Sequence, residues 1–463
     1  MPKNNFHFEI SERRVLLRVF DILFIGVTLY GIYQVFNIDY FKIEYNNWSS
    51  VIVFLAYIWG FGTVFELYDL QKSSRLETVI PSIIWSASAT VLGYLLTPYV
   101  TPVLPDNRLQ ILYFYLAIVG SLTAWRIIYI SFISSPRFYK RVLLIGEMGT
   151  IENIVNAFQN ADPNYSIVGY VNCSTDSHTS TSYTGIPEVN PQEIEAIVDS
   201  EGLSEIVIAT YNSEAITPEI YTQLLGLLEK GFPIREYTQV YEDLTYRVPV
   251  QYVGKDFYKY FPFSRSNTNT FYLSYKRFVD VLVSCIGLFL SLFLLPFILL
   301  GNVVANRGPL MYHQERVGKN GKLFTIYKFR TMVVNAEENG AVWAQKKDTR
   351  ITRFGAFLRA SRLDEIPQFI NIIKGDMSLI GPRPERPVFV NQLSESIPFY
   401  QTRHVIKPGI TGWSQVNARY GSSIDDSLVK LQYDLYYIKH RSFFLDINIV
   451  IKTISTVIFF RGQ

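Results

Sequence analysis

Four long apolar runs fill the first 135 residues, at about 15–36, 48–68, 79–100 and 109–133, with short polar segments between them. Each is close to the length of about 20 residues that an α-helix needs to cross the hydrocarbon layer of a bilayer. A cleaved leader has a single such run and a small-residue cleavage site. The pattern therefore predicts a bundle of four transmembrane helices over residues 1–135. From Lys140 onward the periodicity changes. RVLLIG reads as a strand ending in a turn, IENIVNAFQN has helical spacing, and SIVGYV and EIVIAT read as buried strands. Together they predict a Rossmann-like α/β domain over residues 136–262, interrupted by a Ser/Thr-rich loop at 173–183.

A fifth apolar stretch, YKRFVDVLVSCIGLFLSLFLLPFILLGNVVANRGP at 275–309, runs for about 25 residues after Asp280 without a charge. Length alone makes it a span, so charge placement has to decide its path. Arg13, Arg14 and Arg18 precede the first run, Lys72 and Arg75 lie between the second and third, and Arg137, Lys140 and Arg141 follow the fourth. The two remaining loops carry only Lys42 and Arg108. Basic residues resist translocation, which puts both ends of the four-helix unit in the cytoplasm and lets Arg126, inside the fourth run, snorkel toward that side. By the same rule Lys276 and Arg277 before the fifth stretch, and Arg307, Arg316, Lys319 and Lys322 after it, hold both of its flanks in the cytoplasm. Pro296 sits near its middle, where it removes a backbone hydrogen bond. The expectation is a re-entrant helix over about 278–305 that enters the membrane, breaks at Pro296 and returns to the same face. The alternative is a kinked spanning helix that would export everything after it. The C-terminal FFLDINIVIKTISTVIFFRGQ is read as an interfacial amphipathic helix.

Composition agrees with a membrane protein: 49% hydrophobic and 15% aromatic residues against 18% charged is too oily for an ordinary soluble chain. A net charge of +3 offers no argument for nucleic acid, so charge matters through its placement. Cys173 and Cys285 lie far apart and suggest neither a disulfide framework nor a metal cluster. Gly146 and Gly149 fall short of a full G-x-G-x-x-G and read as a structural turn rather than a dinucleotide site.

The chemistry concentrates after Gly308. Between 308 and 419 basic residues outnumber acidic ones by roughly two to one, which suits a polyanionic substrate. Within this region SRLDEIPQ places Asp364 and Glu365 side by side. Ile366, Phe369, Ile370 and Ile373 recur at helical spacing, with Gln368, Asn371 and Lys374 on the opposite face and Gly375 as a C-terminal cap. Pro367 is tolerable only near a helix start, so the two acids are expected at the helix N-terminus, where free N–H groups and the dipole keep a carboxylate ionised. Lys328, Arg330, Arg350, Arg353, Arg359, Arg362 and Arg383 are the candidate anion-binding residues, some of which will only pair with Asp348, Asp376 or Glu385.

The segments QERVGKNGKLF, YKFRTM, DTRITRFGAFLRASRLDEIPQFINIIKGDMSLIGPRPE and KPGITGW, with Lys276, Arg277 and Asp280 ahead of them, resemble the bacterial sugar transferases of the monotopic phosphoglycosyl transferase superfamily. The resemblance covers about the last 190 residues in order, and the amino-terminal half resembles that of the long members. It implies a catalytic domain over 270–463 that transfers a sugar 1-phosphate from a UDP-sugar to undecaprenyl phosphate, releasing UMP. It further implies initiation of exopolysaccharide, capsule or O-antigen synthesis at the cytoplasmic face of a bacterial inner membrane, a magnesium ion, and a homodimer. Asp364 is implied as the nucleophile that forms an acyl phosphate and Glu365 as the magnesium ligand. Consecutive helical residues point about 100° apart, so two such acids divide the labour rather than share one phosphorus. Lys276 and Arg277 are expected to meet lipid phosphates at the membrane dip. Two rivals remain. A membrane-anchored nucleotide-sugar dehydratase would need a Tyr-x-x-x-Lys spacing, which occurs at Tyr272 and Lys276 but at the mouth of the membrane dip, outside the α/β domain. A regulatory scaffold of polysaccharide assembly would leave Asp364 dispensable.

Overall fold

The computed structural model describes residues 10–36, 48–133, 139–147, 164–173, 185–210, 215–250, 267–336, 348–418 and 423–458, with 151, 154–155, 157–158, 162 and 421. Gly149, Lys42, Arg137, most of the Ser/Thr-rich loop and the expected boundary at 262 lie outside these residues. The chain divides into two compact units, Met1–Thr245 and Tyr246–Gln463.

In the first unit the apolar runs become helices α1 (Ile10–Phe36), α2 (Trp48–Val64), α3 (Leu76–Leu95) and α4 (Leu109–Ile128), the last extended by a π-helical turn, Tyr129–Ile133. Leu17, Ile58, Ile83, Ile118 and Trp125 meet in the bundle core, while Val15, Val27, Trp85 and Leu112 face outward, the pattern expected of helices solvated by lipid. α2 is shorter than the apolar run predicts. Its 17 residues span about 25 Å at the rise of an α-helix, short of the roughly 30 Å of hydrocarbon. The chain turns at Glu66, at a φ of 59°, and the Tyr68 ring folds back onto Gly62, where any side chain would strike it. Among the described residues of this unit, three helices, over Ser11–Phe36, Leu76–Leu95 and Leu109–Ile133, are long and apolar enough to cross a membrane.

Arg126 does not snorkel. It is fully buried, donating from Nη1 and Nη2 to the two carboxylate oxygens of Asp21 on α1 at 2.7 and 3.0 Å and from Nη2 to the carbonyl of Leu67 at 3.3 Å. A buried carboxylate within the bundle gives the guanidinium a nearer partner than the headgroups.

The same unit holds a four-stranded parallel sheet of β1 (Lys140–Gly146), β2 (Tyr165–Asn172), β3 (Glu205–Ala209) and β4 (Ile234–Glu236) in the order β2-β1-β3-β4. Helices α5 (Ile194–Glu201), α6 (Pro218–Glu229) and α7 (Tyr237–Thr245) accompany it. Strand order reverses beside β1, and Gly146 at its end is there because a Cβ would lie 2.7 Å from the carbonyl oxygen of Ala209. That supplies a packing reason for this glycine without any ligand.

The second unit opens with α8 (Thr270–Gly301), whose apolar length continues through a π-helical turn, Asn302–Asn306. The helix is not interrupted at Pro296: helical geometry continues through it, and a proline inside a helix bends its axis rather than ending it. Both ends of this long helix are fastened to the same unit. Near its start, Lys276 Nζ donates to the carbonyl of Ile380 and the hydroxyl of Tyr437, Arg277 donates to the carbonyls of Ile372 and Ile373, and Asp280 accepts from the Leu379 amide. Near its end, Asn302 donates to the carbonyl of Gly308, Asn306 donates to that of Arg330, and Thr352 bonds the Asn306 amide oxygen. Gly287 and Gly301 between them admit the rings of Phe369 and Phe354, each too close for a Cβ.

Next come an antiparallel hairpin of β5 (Met311–Val317) and β6 (Leu323–Phe329), helix α9 (Arg353–Ala360), helix α10 (Gln368–Lys374) and strand β7 (Ser378–Ile380). Helix α11 (Pro387–Ser396), strand β8 (Gly409–Thr411) parallel to β7, and helices α12 (Ile424–His440) and α13 (Phe443–Ile458) complete it. α13 turns its polar groups inward: Asp446 accepts from Tyr272 and Tyr437, Thr453 bonds Thr411, and Lys452 donates to Asn417. Phe444, Ile447, Val450 and Ile454 face outward. Such an inversion suits a helix lying in an interface.

Candidate active site

Asp364 and Glu365 sit in a short 3-10 turn, Leu363–Glu365, one turn ahead of α10 rather than on its first residues as predicted. Arg362 enters this turn at a φ of 58°, and α10 ends at Gly375 with a φ of 95°, a left-handed cap that glycine takes without a Cβ penalty. The buried face of α10 also departs from the predicted one. Gln368, Asn371 and Ile372 point in, while Ile370 and Ile373 are exposed. Asn371 explains the reversal: its side chain accepts from the Tyr327 amide at 3.1 Å and donates to the Thr325 carbonyl at 2.7 Å, stitching α10 to β6.

Both carboxylates are buried, in unlike surroundings. Glu365 Oε1 accepts from Lys328 Nζ at 3.0 Å and from Arg383 Nη2 at 3.1 Å, and Arg362 lies 3.7 Å from Oε2. Burial by itself would raise its pKa, but Lys328, Arg383 and Arg362 together more than reverse this and hold it well below the usual carboxylate range. Asp364 accepts no hydrogen bond from the described residues, and its Oδ1 is buried without a partner. Burial pushes its pKa up and the charge of Glu365 adds to the push, against the pull of Lys328 and Arg359. The expected setting, a helix terminus that keeps Asp364 ionised, is therefore not the one found: the acid precedes the helix and is desolvated. Burial likewise lowers Lys328, with Glu365 pulling it back up.

The seven candidate anion-binding residues separate. Lys328, Arg362 and Arg383 surround Glu365, and Arg359, held by the Thr331 hydroxyl at 2.9 Å, acts on Asp364 through its charge. Arg330 instead donates to the carbonyls of Pro309 and Asn306, where it secures the end of the membrane helix. Arg350 pairs with Asp348 at 2.6 Å and donates to the carbonyl of Ala336. Arg353 is exposed at the start of α9. Lys276 is buried in bonds to protein groups and so does not meet lipid phosphates, and Arg277 caps the C-terminal carbonyls of α10.

Sequence reasoning missed a buried support behind Arg383. Arg403 donates to the carbonyl of Arg383 at 3.1 Å, to Asp434 at 2.7 Å and to the Tyr400 hydroxyl at 2.6 Å, and Ser414 donates to Asp434 at 2.7 Å. The signal was present: Asp434 interrupts the buried stripe Leu431, Leu435, Ile438 of α12, and an acid in such a stripe requires a partner.

Among the described residues no group of three or more His, Cys, Asp or Glu could hold a metal ion. Two adjacent carboxylates are nonetheless a fit for magnesium, which commonly takes one or two protein carboxylates and completes its shell with substrate phosphates and water. Oε1 of Glu365 accepts from Lys328 and Arg383, while its Oε2, 3.7 Å from Arg362, accepts no hydrogen bond from the described residues and is the oxygen open to such an ion. The dehydratase alternative finds no support: Tyr272 bonds Asp446 at 2.6 Å and Lys276 bonds Ile380 and Tyr437, so both are committed to holding the membrane helix.

Replacing Glu365 by Gln is expected to destabilise the protein by about 1–3 kcal/mol, because Lys328, Arg383 and Arg362 would face one another without their counter-ion. Because the folded-state pKa of Glu365 is depressed, its contribution is present above the unfolded pKa and is lost as pH falls through the folded one. Thermal unfolding against pH should therefore show the wild-type advantage over Glu365→Gln persisting from neutral pH to below pH ~4.3, the ordinary Glu value.

The sequence model of one protein family, described as bacterial sugar transferase, matches residues 271–460. A UDP-N-acetylgalactosamine-undecaprenyl-phosphate N-acetylgalactosaminephosphotransferase from Aeromonas hydrophila is 43% identical over 256 residues, 55% of this chain and 59% of that protein. A putative undecaprenyl-phosphate N-acetylgalactosaminyl 1-phosphate transferase from Bacillus subtilis is 48% identical over 141 residues, 30% of this chain and 79% of that protein. A UDP-glucose:undecaprenyl-phosphate glucose-1-phosphate transferase from Xanthomonas campestris is 39% identical over 193 residues, 41% of this chain and 40% of that one.

Proposed function

From the premise that the chain belongs to the bacterial sugar transferase family, we propose that it transfers a sugar 1-phosphate from a UDP-sugar to undecaprenyl phosphate, releasing UMP. The observation that carries this reading is the asymmetric pair: Asp364 buried with an unpartnered oxygen beside Glu365 clamped by three cations.

Asp364 attacks the phosphorus next to the sugar. The bond from its carboxylate oxygen to phosphorus forms as the bond from that phosphorus to the oxygen bridging it to UMP breaks, and UMP leaves with the electron pair. An oxygen of undecaprenyl phosphate then attacks the same phosphorus, the aspartyl bond breaks, and Asp364 returns as a carboxylate with the sugar diphosphate on the lipid. The raised pKa of Asp364 marks a carboxylate whose charge is not stabilised by the resting protein, so its nucleophilicity is not spent on internal bonds. Arg359, Arg362, Arg383 and Lys328 offset the negative charge of the approaching diphosphate. Magnesium, when bound, would be held by Glu365 beside Asp364 and would neutralise phosphate charge.

Charge placement in the sequence supports the cytoplasmic face of the inner membrane for both units, and the fastening of both ends of α8 to one unit supports a re-entrant path for it. A helix spanning straight across would part the groups that bond its start, Ile380, Tyr437 and Leu379, from those that bond its end, Gly308 and Arg330, although all belong to one unit. The Aeromonas and Bacillus relatives both carry N-acetylgalactosamine in their names, which puts UDP-N-acetylgalactosamine at the head of the donors to test. Purified protein with undecaprenyl phosphate, magnesium and a panel of UDP-sugars is expected to release UMP with at least one donor. UMP release from none of them, by protein that retains its cooperative unfolding transition, would contradict the reading.

A further inference from the structure

Two buried polar atoms at the entrance to α10 lack partners among the described residues: Oδ1 of Asp364 and Nε2 of Gln368. Gln368 is only 2% exposed, and it lies four residues after Asp364 among the buried positions of α10, with Asn371 and Ile372. One turn further along, Asn371 uses its amide fully on Tyr327 and Thr325. The two amides therefore differ in purpose: one holds the fold together, and the other holds nothing. Unpaired buried amides are rare in folded proteins, because the group has given up water without a replacement.

The two orphaned atoms have complementary needs. The Gln368 amide requires an acceptor, and the Asp364 carboxylate requires an electropositive centre. A phosphoryl group supplies both, since its phosphorus is electrophilic and its non-bridging oxygens accept hydrogen bonds. The three cations around the neighbouring Glu365 make this turn a favourable place for such a group.

We propose that Gln368 is a binding residue for the phosphoryl group in transfer, its Nε2 donating to a non-bridging oxygen while Asp364 Oδ1 bonds to phosphorus. This rests on the transferase reading above. As the aspartyl–phosphorus bond forms, the bond to UMP breaks and UMP takes the electron pair. Gln368 gives up no proton and supplies a hydrogen bond that strengthens as charge collects on the oxygen.

A methionine at 368 keeps the length of glutamine and removes the amide, so it separates this role from a structural one. If Nε2 is an orphan awaiting substrate, Gln368→Met leaves thermal stability unchanged or higher, because an unsatisfied polar group has been removed. The chemical step nevertheless slows. The experiment measures, on full-length wild type, Gln368→Met and Asp364→Asn, the unfolding temperature and the exchange of labelled UMP into UDP-N-acetylgalactosamine and UDP-glucose without lipid acceptor. Gln368→Met is expected to exchange about a hundredfold more slowly, through kcat rather than KM, as for loss of one donor to a transition-state oxygen. Exchange within twofold of wild type would overturn the assignment. A loss of exchange that tracks a lower unfolding temperature would overturn it too, since that is the mark of a structural amide satisfied by water. If wild type neither exchanges UMP nor releases it when undecaprenyl phosphate is added, the transferase reading fails and this assignment falls with it.

Discussion

Asp364→Asn is expected to lower sugar-phosphate transfer by about a thousandfold or more, the scale at which loss of a covalent nucleophile is felt. It is also expected to make the protein more stable at neutral pH. The two effects have one cause. Burial raises the folded-state pKa of Asp364, so the native state holds its proton more tightly than the unfolded chain does. Such a group contributes stability that is present below the unfolded pKa of about 3.9 and is lost as pH rises through the raised value. At neutral pH the ionised carboxylate is a burden to the fold, and asparagine removes it. Unfolding temperatures measured without magnesium should thus favour Asp364→Asn at pH ~7, with the gap closing as pH falls below about 4. Turnover has the opposite dependence, because attack needs the ionised form, and its acid limb should lie above the ordinary Asp range. Glu365 sits one residue away and its removal is expected to move stability in the other direction. Opposite signs from adjacent carboxylates would be difficult to obtain from a solvated acidic cap.

The second large effect belongs to the membrane bundle. Arg126→Met is expected to destabilise it by about 3–5 kcal/mol, because Asp21 would be left without its partner where both side chains are fully buried. Removing both charges together, Asp21→Leu with Arg126→Met, should recover most of that loss, since a buried pair replaced by apolar groups of similar volume is often close to neutral. Thermal unfolding in detergent reads both variants. Equal losses from the single and double changes would mean that packing, rather than the ion pair, is what Arg126 supplies.

What the sequence made legible and what it concealed differ by whether the signal was local. The apolar runs of α1, α3 and α4 and the strands RVLLIG, SIVGYV and EIVIAT were readable because their periodicity depends on no distant partner. The end of α2 was not, since it is set by the Tyr68 ring closing on Gly62 and by the positive φ of Glu66. Arg126 was misread for the same reason: Asp21, its partner, lies 105 residues away in the chain. At the site, adjacency within a basic region was enough to single out Asp364 and Glu365. Which basic residues face them depends on the path of β6 and of the chain after β7, so Lys328 and Arg383 could not be told in advance from Arg330 and Arg350. The inverted face of α10 shows a rule applied in the wrong solvent. Ile370 and Ile373 were expected inside because water drives apolar groups inward, whereas a unit seated against lipid can leave them out and bury Asn371 in hydrogen bonds.

A covalent sugar phosphate on Asp364 can be read by mass spectrometry of the intact protein. Wild-type protein incubated with magnesium and UDP-N-acetylgalactosamine, without lipid acceptor, and quenched in acid should gain the mass of one N-acetylhexosamine phosphate, localised by fragmentation to Asp364. Undecaprenyl phosphate should discharge it, and Asp364→Asn should never acquire it. An adduct on any other residue, or none from a wild-type preparation that releases UMP once lipid is added, would contradict the account.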